Sequence, residues 1–531
     1  MLTESKLRAH ARLVAKDIKA GKATTHSDLA RDLMEENPDA VLGVIGLIQQ
    51  TASRKKPNQA LIHAYGYMFT VGLEMLRYQI ERGQEWAEDL LDDIRDVLCL
   101  LAEDGIVDPG LLMLLLNGFI EAQLDPGEDL TQLIGEITLE EAKYEQPTDM
   151  PSDIGVLFEG LVQEVGDNPF QIYDVFAEAS RALPLEFRQG MLPQIATAEN
   201  PILRDVATLY LLDPSSEVRQ SFCQAMAANA SPDVISPTAL RRMIAVRNWL
   251  PEKERHHLDA AIKKARQMHV DCGSWPKRRV LDIQASNIDG VGAQSVFAVI
   301  KDGPKHIIAS LLVKKAVGIA DAWCLRDQSK AEVLDFFTQI QAQTESVAVD
   351  LGFVRALIMH HLAVGVDAGK APSVGLLEFV EATGIETCHP EALSVDDLIT
   401  KMAKDIGPEV LDPKAVDELV RGSTDWLNRY DFMDSWFEND ALVEEVLDQS
   451  PRSRMPGKIK AITTSVLEPR RTKWAERFLW TALWMKQQGD SPWQDFFVMG
   501  RELHRSRPLA QIPIMQDIAK VTVEAAGNPW F

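Results

Sequence analysis

Long apolar runs are missing from this chain of 531 residues. The longest, Leu111–Ile120, is half of what a bilayer-spanning helix needs, so no membrane association is expected. Cysteine is scarce as well: Cys99, Cys223, Cys272, Cys324 and Cys388 are widely spread, odd in number and without a C-x-x-C pair. That excludes a disulfide framework and points to a reduced compartment, which gives a cytoplasmic expectation. Positive charge is in deficit, with 55 Lys and Arg against 79 Asp and Glu and a formal net charge of −24. Nucleic acid is therefore a poor partner for the surface as a whole. The opening MLTESKLRAHARLVAKD lacks the apolar stretch of a secretory signal; its basic, amphipathic start reads as a plain surface helix, with a transit peptide as the alternative. No G-x-x-x-x-G-K-[ST], H-E-x-x-H, G-x-S-x-G or EF-hand loop occurs, and no cofactor is implied.

What is present reads mainly as helix. Residues 1–145 form a first helical domain, in which Gln59–Arg82 is a long apolar-striped helix. Leu111–Leu124 is apolar nearly all round and is expected at the centre of its bundle. Lys143–Asp153 is polar, aperiodic and twice interrupted by proline, which marks a linker. Residues 154–275 form a second helical region. Over 276–345 the pattern changes: Arg279–Ile288, Gln294–Ile300 and Lys305–Val313 are runs of Val, Ile and Leu separated by D-G-V-G and D-G-P turns. Leu281, Ile283 and Ala285 share one face of the first run. The second run is apolar on both faces, as expected of a middle strand covered on both sides. Ser329 and Glu332 form a capping box that opens a helix with Val333, Phe336, Phe337 and Ile340 facing the sheet. Residues 346–531 are a helical domain with seven of the eleven tryptophans, of which Trp480 and Trp484 are spaced i, i+4. That spacing predicts core, with a peptide-binding groove as the alternative. The fold class expected is mainly α: a helical array, α-solenoid-like or multi-bundle, with one small three-stranded antiparallel β-meander plus helix near the middle.

Charge is strongly segregated. Eleven Lys and Arg stand against four Asp and Glu between residues 241 and 280, and eight against two between 451 and 477. Arg241, Arg242, Arg247, Lys263, Lys264, Lys277, Arg278 and Arg279 are the candidate partner- or polyanion-binding residues. The competing reading docks this basic stretch on the chain's own acids. Asp431, Asp434 and Glu438, spaced i, i+3, i+7, would place three carboxylates on one helical face, suited to a divalent metal or an acid–base pair unless Arg470 and Arg471 neutralise them. His269-x-x-Cys272 has zinc spacing but lacks a second close pair. Asp289–Ser295 contains G-x-G, yet runs from strand to strand, so a hairpin turn is expected rather than a phosphate loop.

In PILRDVATLYLLDPSSEVRQSFCQAM (Pro201–Met226) an apolar helix ends at Leu212, a D-P-S turn follows, and a second helix carries Val218, Phe222, Ala225 and Met226. This stretch resembles a HEAT-type helical repeat, and the resemblance implies a solenoid-like helix pair whose motif residues pack and do not catalyse. No period of about 40 residues extends it along the chain. The expectation is a non-enzymatic helical scaffold or adaptor that binds a protein partner. The alternatives are a nucleic-acid- or polyanion-binding regulator using residues 241–280 and a metal-dependent enzyme using 431–438.

Overall fold

The computed structural model describes residues 4–20, 25–54, 56–81, 83–103, 109–127, 129–131, 133, 160, 162–181, 185–386, 388–449, 453–489 and 492–526. The linker expected at Lys143–Asp153 and the tryptophan Trp530 lie outside them. Two compact units are present: residues 1–165 with 171–191, and residues 166–170 with 192–531. The sequence divisions at 275/276 and 345/346 fall inside the second unit.

In the first unit the helix at the centre is Gln59–Glu81. The helices Glu4–Ala20, Thr25–Glu36, Ala40–Ala52, Glu85–Glu103 and Pro109–Glu121 all lie against it. The apolar Pro109–Glu121 helix buries Leu112, Leu115, Leu116 and Phe119 there, with Phe119 edge-on to Phe69 at 5.9 Å. A 23-residue helix can be touched by more neighbours than one of 13, which is why length outranks apolarity in choosing the hub.

The second unit begins with helices and turns into a sheet. Pro201–Leu209 continues as a short 3₁₀ turn, Tyr210–Leu212, and the next helix, Ser216–Ala228, buries Val218, Phe222, Ala225 and Met226. Ser215 caps that helix, accepting from the Val218 amide, while Asp213 accepts from the Ser215 amide just outside it.

The sheet has five strands rather than the three expected. These are β1 (Arg279–Ser286), β2 (Ala293–Asp302), β3 (Lys305–Lys314), β4 (Gly318–Gln328) and β5 (Ser346–Ala348), in the order β4-β3-β2-β1-β5 and all antiparallel. β4 escapes a reading based on apolar runs because it is an edge strand carrying Asp321, Arg326 and Asp327. A bulge between Val280 and Asp282 takes Leu281 out of the face shared by Ile283 and Ala285 and leaves it exposed.

β2 is covered on both sides. Phe297 and Val299 meet Val333, Phe336, Phe337 and Ile340 of the Lys330–Gln343 helix, which opens with the Ser329/Glu332 capping box. On the other face Val296, Ala298 and Ile300 align with Leu311, Ala309 and Ile307 of β3 and are fully buried. The helices Leu351–Asp367 and Val374–Thr383 lie against β3 and β4.

The D-G-V-G stretch is a hairpin turn joining β1 to β2. Gly292 takes φ +78°, and its amide donates to the Asp289 carbonyl at 3.1 Å. Gly290 is required for a different reason: a Cβ there would sit 1.7 Å from the Ser435 carbonyl oxygen. Gly290→Ala is expected to destabilise the second unit by about 1–3 kcal/mol or more, measured by urea denaturation. A wild-type midpoint would show that the contact is loose.

The six described tryptophans of the C-terminal region (Trp426, Trp436, Trp474, Trp480, Trp484 and Trp493) are core, and two of them also tie that region to the first strand and its hairpin. Trp436 Nε1 donates to the Ile288 carbonyl and Trp484 Nε1 to the Ala285 carbonyl, each at 2.9 Å. Trp426 stacks on Phe496 at 4.8 Å, and Trp436 meets Phe478 edge-on at 5.1 Å.

Candidate functional site

The eight predicted cations separate into two groups. Arg241 and Arg242 are buried on the Pro237–Val246 helix and both hold Glu381. Arg242 donates Nε and Nη2 to its two oxygens at 2.9 Å, and Arg241 donates Nη2 to one of them. Their guanidinium groups lie 5.2 Å from the Trp275 ring centre (Arg241) and 4.8 Å from that of Phe170 (Arg242). Arg247 forms a two-point ion pair with Asp259 at 2.7 Å. Arg278 is half-buried, near the Glu381 carbonyl and 4.0 Å from Asp302. The other four, Lys263, Lys264, Lys277 and Arg279, are exposed, and none makes an ion pair among the described residues. Arg241 and Arg242 are thus not offered to an external partner. A charge count along the chain cannot distinguish a solvated arginine from one committed to a buried acid.

The carboxylates at 431–438 do not share a helical face. Asp431–Met433 is a single 3₁₀ turn, and the chain runs irregularly through Glu438. Phe432, Met433 and Trp436 pull the segment into the core, so the i, i+3, i+7 spacing has no helix to act on. Glu438 is buried and held by Arg470 at 2.7 Å and Lys473 at 2.8 Å, while Arg471 instead grips Glu468. His269 takes φ +59° and closes the Arg255–Gln267 helix, where the Val270 amide bonds the Ala265 carbonyl at 3.1 Å. Among the described residues no group of three or more His, Cys, Asp or Glu is placed to hold a metal ion.

The residues missed by the sequence reading form a pocket between the sheet and the helices Leu351–Asp367 and Arg471–Met485. Ile288, Gly292 and Gln294 come from the β1–β2 hairpin, Val313 and Lys315 from the end of β3 and the turn after it. Leu357, His360 and His361 come from one face of the Leu351–Asp367 helix, and Glu476, Arg477 and Trp480 from one face of Arg471–Met485. The room for water inside the pocket is about 30 Å³. The spacings i, i+3, i+4 in the first helix and i, i+1, i+4 in the second were the available signal. Arg477 reaches the Gly290 carbonyl across 187 residues of sequence, a pairing no local pattern reveals.

Its electrostatics are specific. The Leu393 amide donates to His360 Nδ1 at 3.1 Å, so the proton is on Nε2, which faces Glu476 Oε1 at 3.3 Å. Glu476 also pairs with Lys315. Burial disfavours the Glu476 charge, but the His360 and Lys315 contacts outweigh it and hold its pKa at about 2. Burial, with His360 beside it, pushes His361 down to about 3, and its Nδ1 donates to the Leu357 carbonyl at 2.9 Å. His361 is therefore neutral, with a lone pair on Nε2. Arg477 is buried between Trp474, at 4.5 Å, and Trp436, at 5.5 Å, and burial lowers its pKa. Its Nη2 donates to the Gly290 carbonyl at 2.6 Å, whereas Nη1 has no protein partner.

No helix of the described residues is long and apolar enough to cross a membrane. Residues 184–269 match a family model described as the Y4lR second domain, and residues 396–527 match one described as the Y4lR C-terminal helical domain. The chain is 26% identical over 389 residues to the uncharacterized protein y4lR of Sinorhizobium fredii (strain NBRC 101917 / NGR234), an alignment covering 71% of this chain and 74% of the relative. No solved structure matches. The chain is thus similar, over residues 184–269 and 396–527, to the Y4lR second domain and the Y4lR C-terminal helical domain.

Proposed function

We propose that this chain is a non-enzymatic helical scaffold that docks an acidic protein partner on its exposed basic residues. One observation carries the reading: Lys263, Lys264, Lys277 and Arg279 stay exposed and unpaired in a chain with a net charge of −24, where acids to pair with are plentiful. Lys263 and Lys264 stand on the solvent side of a helix whose buried stripe is Leu258, Ala261, Ile262 and Ala265. Lys277 and Arg279 alternate with the half-buried Arg278 along extended chain, so both face outward.

The same four side chains would serve a polyanion, and salt dependence separates the two readings. Fluorescence anisotropy with labelled poly-glutamate and labelled duplex DNA tests both. The scaffold reading expects K263E/K264E/K277E/R279E to weaken poly-glutamate binding about tenfold or more, with duplex DNA bound no better than by the variant. A duplex-binding log–log salt slope of about −4 in wild type, flattened in the variant, would transfer the face to nucleic acid. Equal poly-glutamate affinity in both proteins would remove these residues from any docking role.

A further inference from the structure

Resting on that docking face, we propose that the partner's acidic segment adds to the sheet as a further strand along the outer edge of β1, over Arg279–Asp282. β1 is paired on both sides only in its second half. β2 runs along it from Arg279 to Ala285, whereas β5 covers Gln284–Ser286, with one further bond from the Val349 amide to the Ile283 carbonyl. Among the described residues, nothing bonds the backbone of Arg279–Asp282 from the β5 side. Exposure follows the same division: Arg279, Leu281 and Asp282 are exposed, while Ile283, Ala285 and Ser286 are buried.

The charge at this edge is unbalanced. Arg279 stands directly opposite Lys301 of β2, a like-charge cross-strand pair, and neither makes an ion pair among the described residues. Lys277, two residues earlier, is exposed as well. The acids close by in sequence are already engaged. Asp302 lies 4.0 Å from Arg278, and Asp282 accepts from Gln284 Nε2 at 3.1 Å. In a chain with a net charge of −24, cations left facing one another leave a place for a carboxylate from outside.

An added acidic strand meets both conditions. Its backbone pairs with the free side of β1, its carboxylates lie beside Arg279 and Lys277, and an apolar side chain on it covers the exposed Leu281. A second copy of this chain does not fit, because it would bring the same cations to the same edge. The bulge between Val280 and Asp282 and the charges around it are devices by which sheets turn away indiscriminate strands. What this edge admits is therefore selected by charge. A nucleic acid would answer the cations but has no peptide backbone to pair with β1.

Hydrogen–deuterium exchange and calorimetry of the full chain test the assignment. The probe is an end-blocked hexapeptide of alternating glutamate and valine, and its controls are the two forms N-methylated at alternate residues. N-methylation leaves every charge in place and removes the donors that one edge of a strand offers. The unmodified peptide is expected to slow exchange within residues 279–282, and at least one methylated form to bind about tenfold or more weakly. K277E/R279E changes two exposed side chains, so it is expected to melt as wild type and to lose the slowed exchange.

Peptide binding without slowed exchange at 279–282, or with both methylated forms as tight as the unmodified one, would overturn the strand while leaving the docking face intact. Unchanged peptide affinity in K277E/R279E would overturn it as well. If poly-glutamate binds through the four exposed cations and the alternating peptide does not bind, the edge is again excluded and the docking face stands. If neither binds, the docking face fails and the edge proposal fails with it.

Discussion

Glu381→Gln will destabilise the second unit by about 3–5 kcal/mol, the cost of leaving buried charges without their counter-ion. Arg241, Arg242 and Glu381 are each at most 6% exposed, and one carboxylate serves both guanidinium groups. The amide of glutamine offers one acceptor oxygen and no charge, so two cations remain in a poorly solvating interior. Replacing all three residues together by apolar side chains of similar volume is expected to cost much less than Glu381→Gln alone, since the penalty lies in the unpaired charge. The pH dependence has a definite sign. Burial opposes the Glu381 charge, but the hydrogen bonds and charges of Arg242 and Arg241 prevail and hold its pKa below the ordinary value. Its contribution is therefore present above the ordinary glutamate range and is lost as pH falls through the lower folded value. Thermal melts of wild type and Glu381→Gln should lie far apart at neutral pH and converge in acid. A constant gap would contradict the ion-pair account.

Trp436→Ala is the second large effect, at about 3–5 kcal/mol from lost burial and the cavity it leaves. The side chain is fully buried, meets Phe432, Trp474 and Phe478, and covers Arg477. Its indole nitrogen also satisfies the Ile288 carbonyl at the end of the first strand region. Trp436→Phe separates the two contributions: it keeps most of the apolar volume and loses only the hydrogen bond, so about 1–2 kcal/mol is expected. Urea denaturation followed by near-ultraviolet circular dichroism reports both. Equal losses for Ala and Phe would place the whole effect on the hydrogen bond and none on packing.

What local pattern can carry was legible. The mainly helical class, β1 to β3 and the Ser329/Glu332 capping box all follow from periodicity, turn residues and one cap, each read over a few residues. β5 was hidden because three residues leave no alternation to detect, and β4 because an edge strand need not be apolar. The 431–438 segment shows the opposite failure. Its carboxylate spacing imitates a helical face, but three large apolar anchors fix the backbone first. The sites depend on pairings of still longer range. Arg241 and Glu381 are 140 residues apart, and Arg477 and Gly290 are 187 apart. Sequence shows that such charges exist, while only the packed chain shows which ones neutralise each other and which remain for a ligand or partner.

The most direct test of the binding-scaffold account is a pull-down from native cytosol with tagged wild type and K263E/K264E/K277E/R279E, each divided into nuclease-treated and untreated halves. The account predicts a stoichiometric, acidic protein partner that survives nuclease with wild type and is lost with the variant, while both proteins melt at the same temperature. A partner retained equally by the variant, or recovered only without nuclease, would contradict it.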